Sequence, residues 1–120
     1  MPIHLIWGDD SNAIDREIEI LIERIIDKNW STINYSRFDG NDIPQHYQAL
    51  EEIRTPAFGS GGRVVVIRNN TICNGCTSEL SKLFENTINL IPQNSYLILH
   101  NQNKPDGRLK STKLLFKLIK

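Results

Sequence analysis

Two kinds of apolar segment alternate along this chain, and this alternation limits the possible folds more than any other feature. Short continuous apolar runs, such as residues 3–7 and 64–67, are typical of buried strands. Between the runs, apolar residues recur every three or four positions, as they do on one side of a helix. Strands separated by helices pair in parallel through right-handed crossovers. The sequence therefore predicts an α/β fold, an open parallel sheet with helices on both faces.

Four strands and four helices can be placed on this pattern. The third strand is apolar at every position, which predicts a central place in the sheet. Capping residues stand before the first helix at residues 9–12 and begin the third at residues 77–79. The predicted strands are residues 3–7, 33–38, 64–67 and 96–99, and the predicted helices are residues 14–26, 43–54, 77–88 and 109–119.

The length of 120 residues suits one domain with one modest core. No apolar run approaches the roughly 20 residues that span a bilayer, and the N-terminus lacks the features of a signal peptide. We therefore expect a cytoplasmic protein without a membrane partner. The last helical pattern stops without a cap or a polar tail, so we expect residues 1–120 to be one domain of a longer protein.

Basic residues are concentrated at the end of the chain. Residues 104–120 carry six basic residues and one acidic residue. This segment is a candidate nucleic-acid surface, with Arg108, Lys110 and Lys113 facing the phosphates. A lysine-rich face of an exposed helix is the alternative interpretation.

Cys73 and Cys76 have the spacing of a redox or metal motif. A structural zinc ion needs four ligands, and no second pair stands at a suitable distance along the chain. A small thiol oxidoreductase remains an alternative function, because a turn at Asn74 and Gly75 precedes a predicted helix. Ordinary reduced thiols are the other interpretation, and no metal site is expected.

An unusual loop lies between the second helix and the third strand. Three glycines in four positions follow an apolar pair and allow the backbone to turn freely. A phenylalanine on such a tip is difficult to bury in its own domain, which suggests an anchor for the pocket of another protein. The alternative is that the ring folds back and caps the local core. The residues concerned are Thr55, Pro56, Ala57 and Phe58.

Catalytic groups are not arranged in any recognisable motif. The loop after the first strand has one glycine, Gly8, no lysine and two carboxylates, so it cannot form a standard phosphate-binding loop. The third strand ends at Arg68, where an acidic residue would be needed to hold magnesium. His4, His46 and His100 are scattered along the chain. We expect no catalytic residues and no cofactor.

The order of these features resembles the delta subunit of the bacterial replicative clamp loader, a component of DNA polymerase III, and its cyanobacterial-type members above all. The resemblance covers essentially the whole chain and the N-terminal third of a typical member. It rests on three segments taken together, which are residues 6–10, residues 55–59 and residues 103–113.

This resemblance implies a P-loop NTPase fold of the AAA+ type whose nucleotide site has degenerated. It also implies a domain without enzymatic activity that binds the sliding clamp, the beta subunit, and helps to open it during DNA replication. The apolar pair that enters the clamp maps onto Ala57 and Phe58, with Thr55 and Pro56 beside it. Other loader subunits and primer–template DNA are the implied further partners in the replisome.

Overall fold

Four parallel strands form one sheet in the order β1-β4-β3-β2 in a computed structural model of the protein. The structure describes residues 3–70, 72 and 77–102. Every connection between paired strands is a crossover, as the sequence predicts. The strands are β1 (Ile3–Trp7), β2 (Tyr35–Asp39), β3 (Arg63–Arg68) and β4 (Ser95–Asn101).

Helices connect these strands, and polar side chains fix where two of them begin. The Asp10 carboxylate accepts a hydrogen bond from the amide of Ala13, and the Thr77 hydroxyl accepts one from the amide of Leu80. Each bond satisfies an amide that has no partner within its helix. The helices are α1 (Ser11–Ile25), α2 (Ser31–Asn34), α3 (Ile43–Glu52) and α4 (Ser78–Ile88), and a 3-10 turn (Lys28–Trp30) leads into α2.

Successive residues of β3 pack on opposite faces of the sheet. Val64 and Val66 contact the cluster formed with α1, whereas Val65 and Ile67 contact the cluster formed with α3 and α4. Helices therefore cover both faces, and the predicted architecture is confirmed. The whole of β3 is buried between β4 and β2, which confirms its predicted central place.

The predicted strand at residues 33–38 is partly wrong. Ile33 and Asn34 belong to α2, and the strand begins at Tyr35. The Asp27 carboxylate caps the 3-10 turn by accepting a hydrogen bond from the Asn29 amide, and α2 continues directly from that turn. The apolar alternation that begins at Ile33 is therefore coincidental at its first two positions, and Ile33 is exposed.

The predicted helix at residues 109–119 lies outside the described residues. Within the described part of the chain, no helix is long and apolar enough to cross a membrane.

Candidate functional site

The loop at residues 55–62 joins α3 to β3, and we call it the Phe58 loop. The Phe58 side chain is 51% exposed, although Phe84 in the core is completely buried. The ring does not cap the local core, which was one of the two interpretations of the sequence. The loop instead presents an aromatic side chain to the surroundings.

The backbone of Phe58 is held by a buried amide from another part of the chain. The Phe58 amide donates to Oδ1 of Asn34 at 2.9 Å, and Nδ2 of Asn34 donates to the Phe58 carbonyl at 2.8 Å. Asn34 has no exposed surface. A buried side-chain amide that forms two hydrogen bonds of good geometry restricts its partner to one position. The residue that carries the exposed ring is therefore fixed at its main chain.

The turn after Phe58 packs on the segment between α1 and α2. Gly59 has a φ of +64° and lies against the indole of Trp30, where a Cβ atom would overlap the ring. Glycine is needed here both for the left-handed backbone and for the close approach. The Ser60 hydroxyl donates to the Asp27 carboxylate, and this bond, with the bond from the Asn29 amide, lowers the pKa of Asp27. Two further contacts therefore hold the loop.

A buried arginine lies beneath the exposed ring. The Arg63 guanidinium carbon is 5.8 Å from the centre of the Phe58 ring, and the arginine side chain is 3% exposed. Nη1 of Arg63 is 3.3 Å from Oε1 of Glu52, which also accepts a 2.6 Å hydrogen bond from the Ser36 hydroxyl. This arrangement is a cation–π contact whose cation has its own counter-charge.

The other predicted members of the site lie next to Phe58. Thr55 and Pro56 are exposed, and Ala57 is partly buried. The Thr55 amide donates to the Glu52 carbonyl at 2.9 Å, so the loop leaves α3 through a closing turn. Sequence reasoning missed Asn34, Trp30 and Arg63, which the fold brings to the loop from distant positions or from the following strand. Only the glycine run signalled a constrained turn.

A second concave region lies where β1, β3 and β4 end, the usual ligand position in open parallel sheets. Arg68 points into it and forms an ion pair with Asp15 of α1, and its Nη2 lies 3.4 Å from the Ser11 hydroxyl. The space measures about 250 Å³, below the roughly 300–1,000 Å³ typical of ligand pockets. The Arg68 guanidinium already has the Asp15 carboxylate as its partner. Asp9 also borders the space.

His100 holds this region together. Nδ1 of His100 accepts hydrogen bonds from the Asn69 amide at 3.0 Å and from Nε of Arg68 at 3.3 Å. Nε2 lies 3.2 Å from the Gly8 carbonyl, so the neutral ring with the proton on Nε2 satisfies all three contacts. Burial lowers the pKa of His100, which favours that neutral form. We assign this histidine a structural role.

Several predicted residues lie outside the part of the chain that the structure describes. They are Cys73 and Cys76 of the thiol motif, and Arg108, Lys110 and Lys113 of the basic segment. Within residues 3–70, 72 and 77–102, no three histidine, cysteine or acidic side chains are grouped to hold a metal ion.

Comparisons with known proteins agree with this fold. The Bacillus subtilis DNA clamp loader delta protein (YqeN) superimposes with a TM-score of 0.80 over 98% of this chain, at 21% sequence identity. This chain spans only 36% of that protein. No curated protein matches significantly. A sequence model of one family, described as DNA polymerase III, delta subunit, matches residues 4–120. The chain therefore belongs to the DNA polymerase III delta subunit family.

Proposed function

We propose that this domain binds the sliding clamp through the Phe58 loop and helps to open it during clamp loading. The observation that carries the proposal is a half-exposed phenylalanine ring on a loop whose main chain is fixed. A large apolar side chain held out on a rigid support is the usual form of an interface anchor. Membership of the delta subunit family supplies the partner.

Burial of the Phe58 ring supplies the main attraction. Complete removal of a phenylalanine side chain from water contributes roughly 1.5–3 kcal/mol, and the half of this ring that is still exposed contributes about half of that. Ala57 adds little area because it is small and partly buried. Thr55 and Pro56 are exposed beside it and extend the contact. Clamp opening then requires that the loop binds the open ring more tightly than the closed one, because a ligand shifts an equilibrium only through that difference.

The remaining partners follow from the same assignment. We expect the domain to act without catalytic residues or a cofactor, inside a cytoplasmic replisome that supplies the enzymatic activity. β3 ends at Arg68, where a nucleotide site would need an acidic residue to hold magnesium, and Arg68 is paired with Asp15. This pair supports a degenerate nucleotide site in an AAA+-type fold. Parts of the subunit beyond this domain would contact other loader subunits, and Arg108, Lys110 and Lys113 would face primer–template DNA.

Replacement of the anchor tests the proposal. Phe58→Ala should weaken binding of the full-length protein to its own clamp by about 30-fold or more, a loss of ~2 kcal/mol that is typical of an interface hot spot. The fold should be unaffected, because the ring fills no core position. Surface plasmon resonance measures the affinity, and circular dichroism checks the fold.

Trp7 provides the matched control. Its side chain is 55% exposed, much like that of Phe58. Trp7 ends β1, level with the last residue of β4, whereas the Phe58 loop leads into the start of β3, level with the first residue of β4. Trp7→Ala should therefore leave clamp affinity unchanged. Equal affinities for the Phe58→Ala variant and the unaltered protein would refute the proposal.

A further inference from the structure

We propose that Asn34 is a positioning residue that holds the Phe58 loop in its binding conformation before the clamp arrives. The inference rests on the proposed function, since it assigns a role in that binding to a side chain that cannot touch the clamp. Asn34 is completely buried and lies 24 residues before Phe58 along the chain. Any direct effect of Asn34 on clamp binding must therefore act through the position of Phe58.

The hydrogen bonds of Asn34 fix the residue at its main chain rather than at its ring. Both polar main-chain groups of Phe58 are engaged by one side-chain amide, at 2.9 Å and 2.8 Å. This pairing allows only a narrow range of positions for the residue, while the ring stays on the solvent side. An asparagine at this position thus immobilises the anchor without covering it.

The position of Asn34 has no simpler structural explanation in its own helix. A buried side-chain amide destabilises a fold unless it is hydrogen-bonded. The Asn34 amide forms its two side-chain hydrogen bonds with the main chain of Phe58. The contact of Gly59 with Trp30 adds a second attachment next to Phe58.

A loop that is ordered before binding gives a higher affinity, because otherwise part of the binding free energy is used to order it. When only a fraction of molecules has the competent conformation, the apparent affinity falls by that fraction. The loss then appears mainly in the association rate, because every complex that forms contains the same ring in the same pocket. Loss of the ring itself has the opposite signature and raises the dissociation rate.

The test compares rates of clamp binding for the full-length protein and its Asn34→Ala variant. We expect the association rate constant to fall about tenfold, equivalent to 1.4 kcal/mol, with a dissociation rate constant within about twofold of the original. In a Phe58→Ala background the same change should have no further effect. Ile18→Val, which trims the core beneath α1, serves as a control of reduced stability and should leave both rates unchanged.

Hydrogen exchange provides a measurement that needs no variant. The Phe58 amide should exchange at least about 100-fold more slowly than in an unfolded chain, although its ring is half exposed. Free exchange at this amide would overturn the inference, and so would Asn34→Ala with an unchanged association rate. If Phe58→Ala itself has no effect on binding, the proposed function fails as well. If only the Asn34 results fail, the clamp contact stands and the positioning role does not.

Discussion

At the scale of single residues, the least expected feature is the buried charge of Arg63, which begins β3 directly after the Phe58 loop. A cation that is almost completely buried normally destabilises a fold unless a counter-charge accompanies it. Glu52 provides that charge from the last turn of α3, and Ser36 holds the carboxylate in place. Beneath the exposed ring, a short series of polar contacts therefore runs from Ser36 in β2 through Glu52 in α3 to Arg63 in β3.

Removal of this counter-charge gives a prediction about stability. Glu52→Gln should lower the free energy of unfolding by about 1–3 kcal/mol, below the value for a fully enclosed pair because Glu52 is partly exposed. Urea unfolding measures the change. Glu51→Gln, which alters the exposed neighbouring carboxylate, should change stability by less than about 0.5 kcal/mol. Equal effects of the two substitutions would contradict a stabilising contribution from the ion pair of Arg63 and Glu52.

At the scale of elements, the clearest local signals were those that act within a few residues. Asp10 and Thr77 cap α1 and α4 through amides three residues later, and such pairs can be read from the sequence. The periodicity of α1 and α3 likewise depends only on neighbouring positions. These elements were predicted with errors of a few residues at their ends.

The α1 cap can be tested with two adjacent aspartates. Asp10→Ala should destabilise the protein by about 1 kcal/mol, because the Ala13 amide loses its acceptor. Asp9→Ala should have a much smaller effect, since this exposed residue precedes the cap. Thermal unfolding of both variants checks the difference. A larger effect at Asp9 would contradict the cap observed at Asp10.

The features that sequence reasoning missed depend on partners that are far apart in the chain. Ile33 and Tyr35 alternate with polar residues as a strand does, so nothing local revealed that α2 occupies the first two positions. Asn34 is buried because its partner is Phe58, and that pairing exists only after the sheet has brought the two segments together. The exposure of the Phe58 ring was predictable from its glycine-rich loop, but the contacts that support the loop were not.

At the scale of the whole molecule, two buried histidines make stability depend on pH. His46 lies in α3 and His100 in β4, and burial lowers the pKa of both. The folded state therefore releases protons that the unfolded state still binds at its ordinary pKa of about 6.5. The charges that act on His100 are those of Arg68, Asp15 and Arg37.

The free energy of unfolding should therefore fall as the pH decreases below about 6.5, the pKa of an unfolded histidine, because the unfolded state then gains protons that the fold excludes. Urea unfolding at pH 7.5, 6.5 and 5.5 measures the trend. His100→Gln should lower stability at pH 7.5 and flatten the profile. A profile that is level between pH 7.5 and 5.5 would contradict the prediction.

The attachments of the Phe58 loop also have a mechanical consequence. A load pulling on the ring would pass through Asn34 to the start of β2, through Trp30 and Asp27 to the end of α1, and along the backbone into β3. Because these contacts all hold one short stretch of the loop, the tip would be rigid and would move together with the domain. If a protein bound the ring under load, the more easily deformed of the two proteins would then change shape.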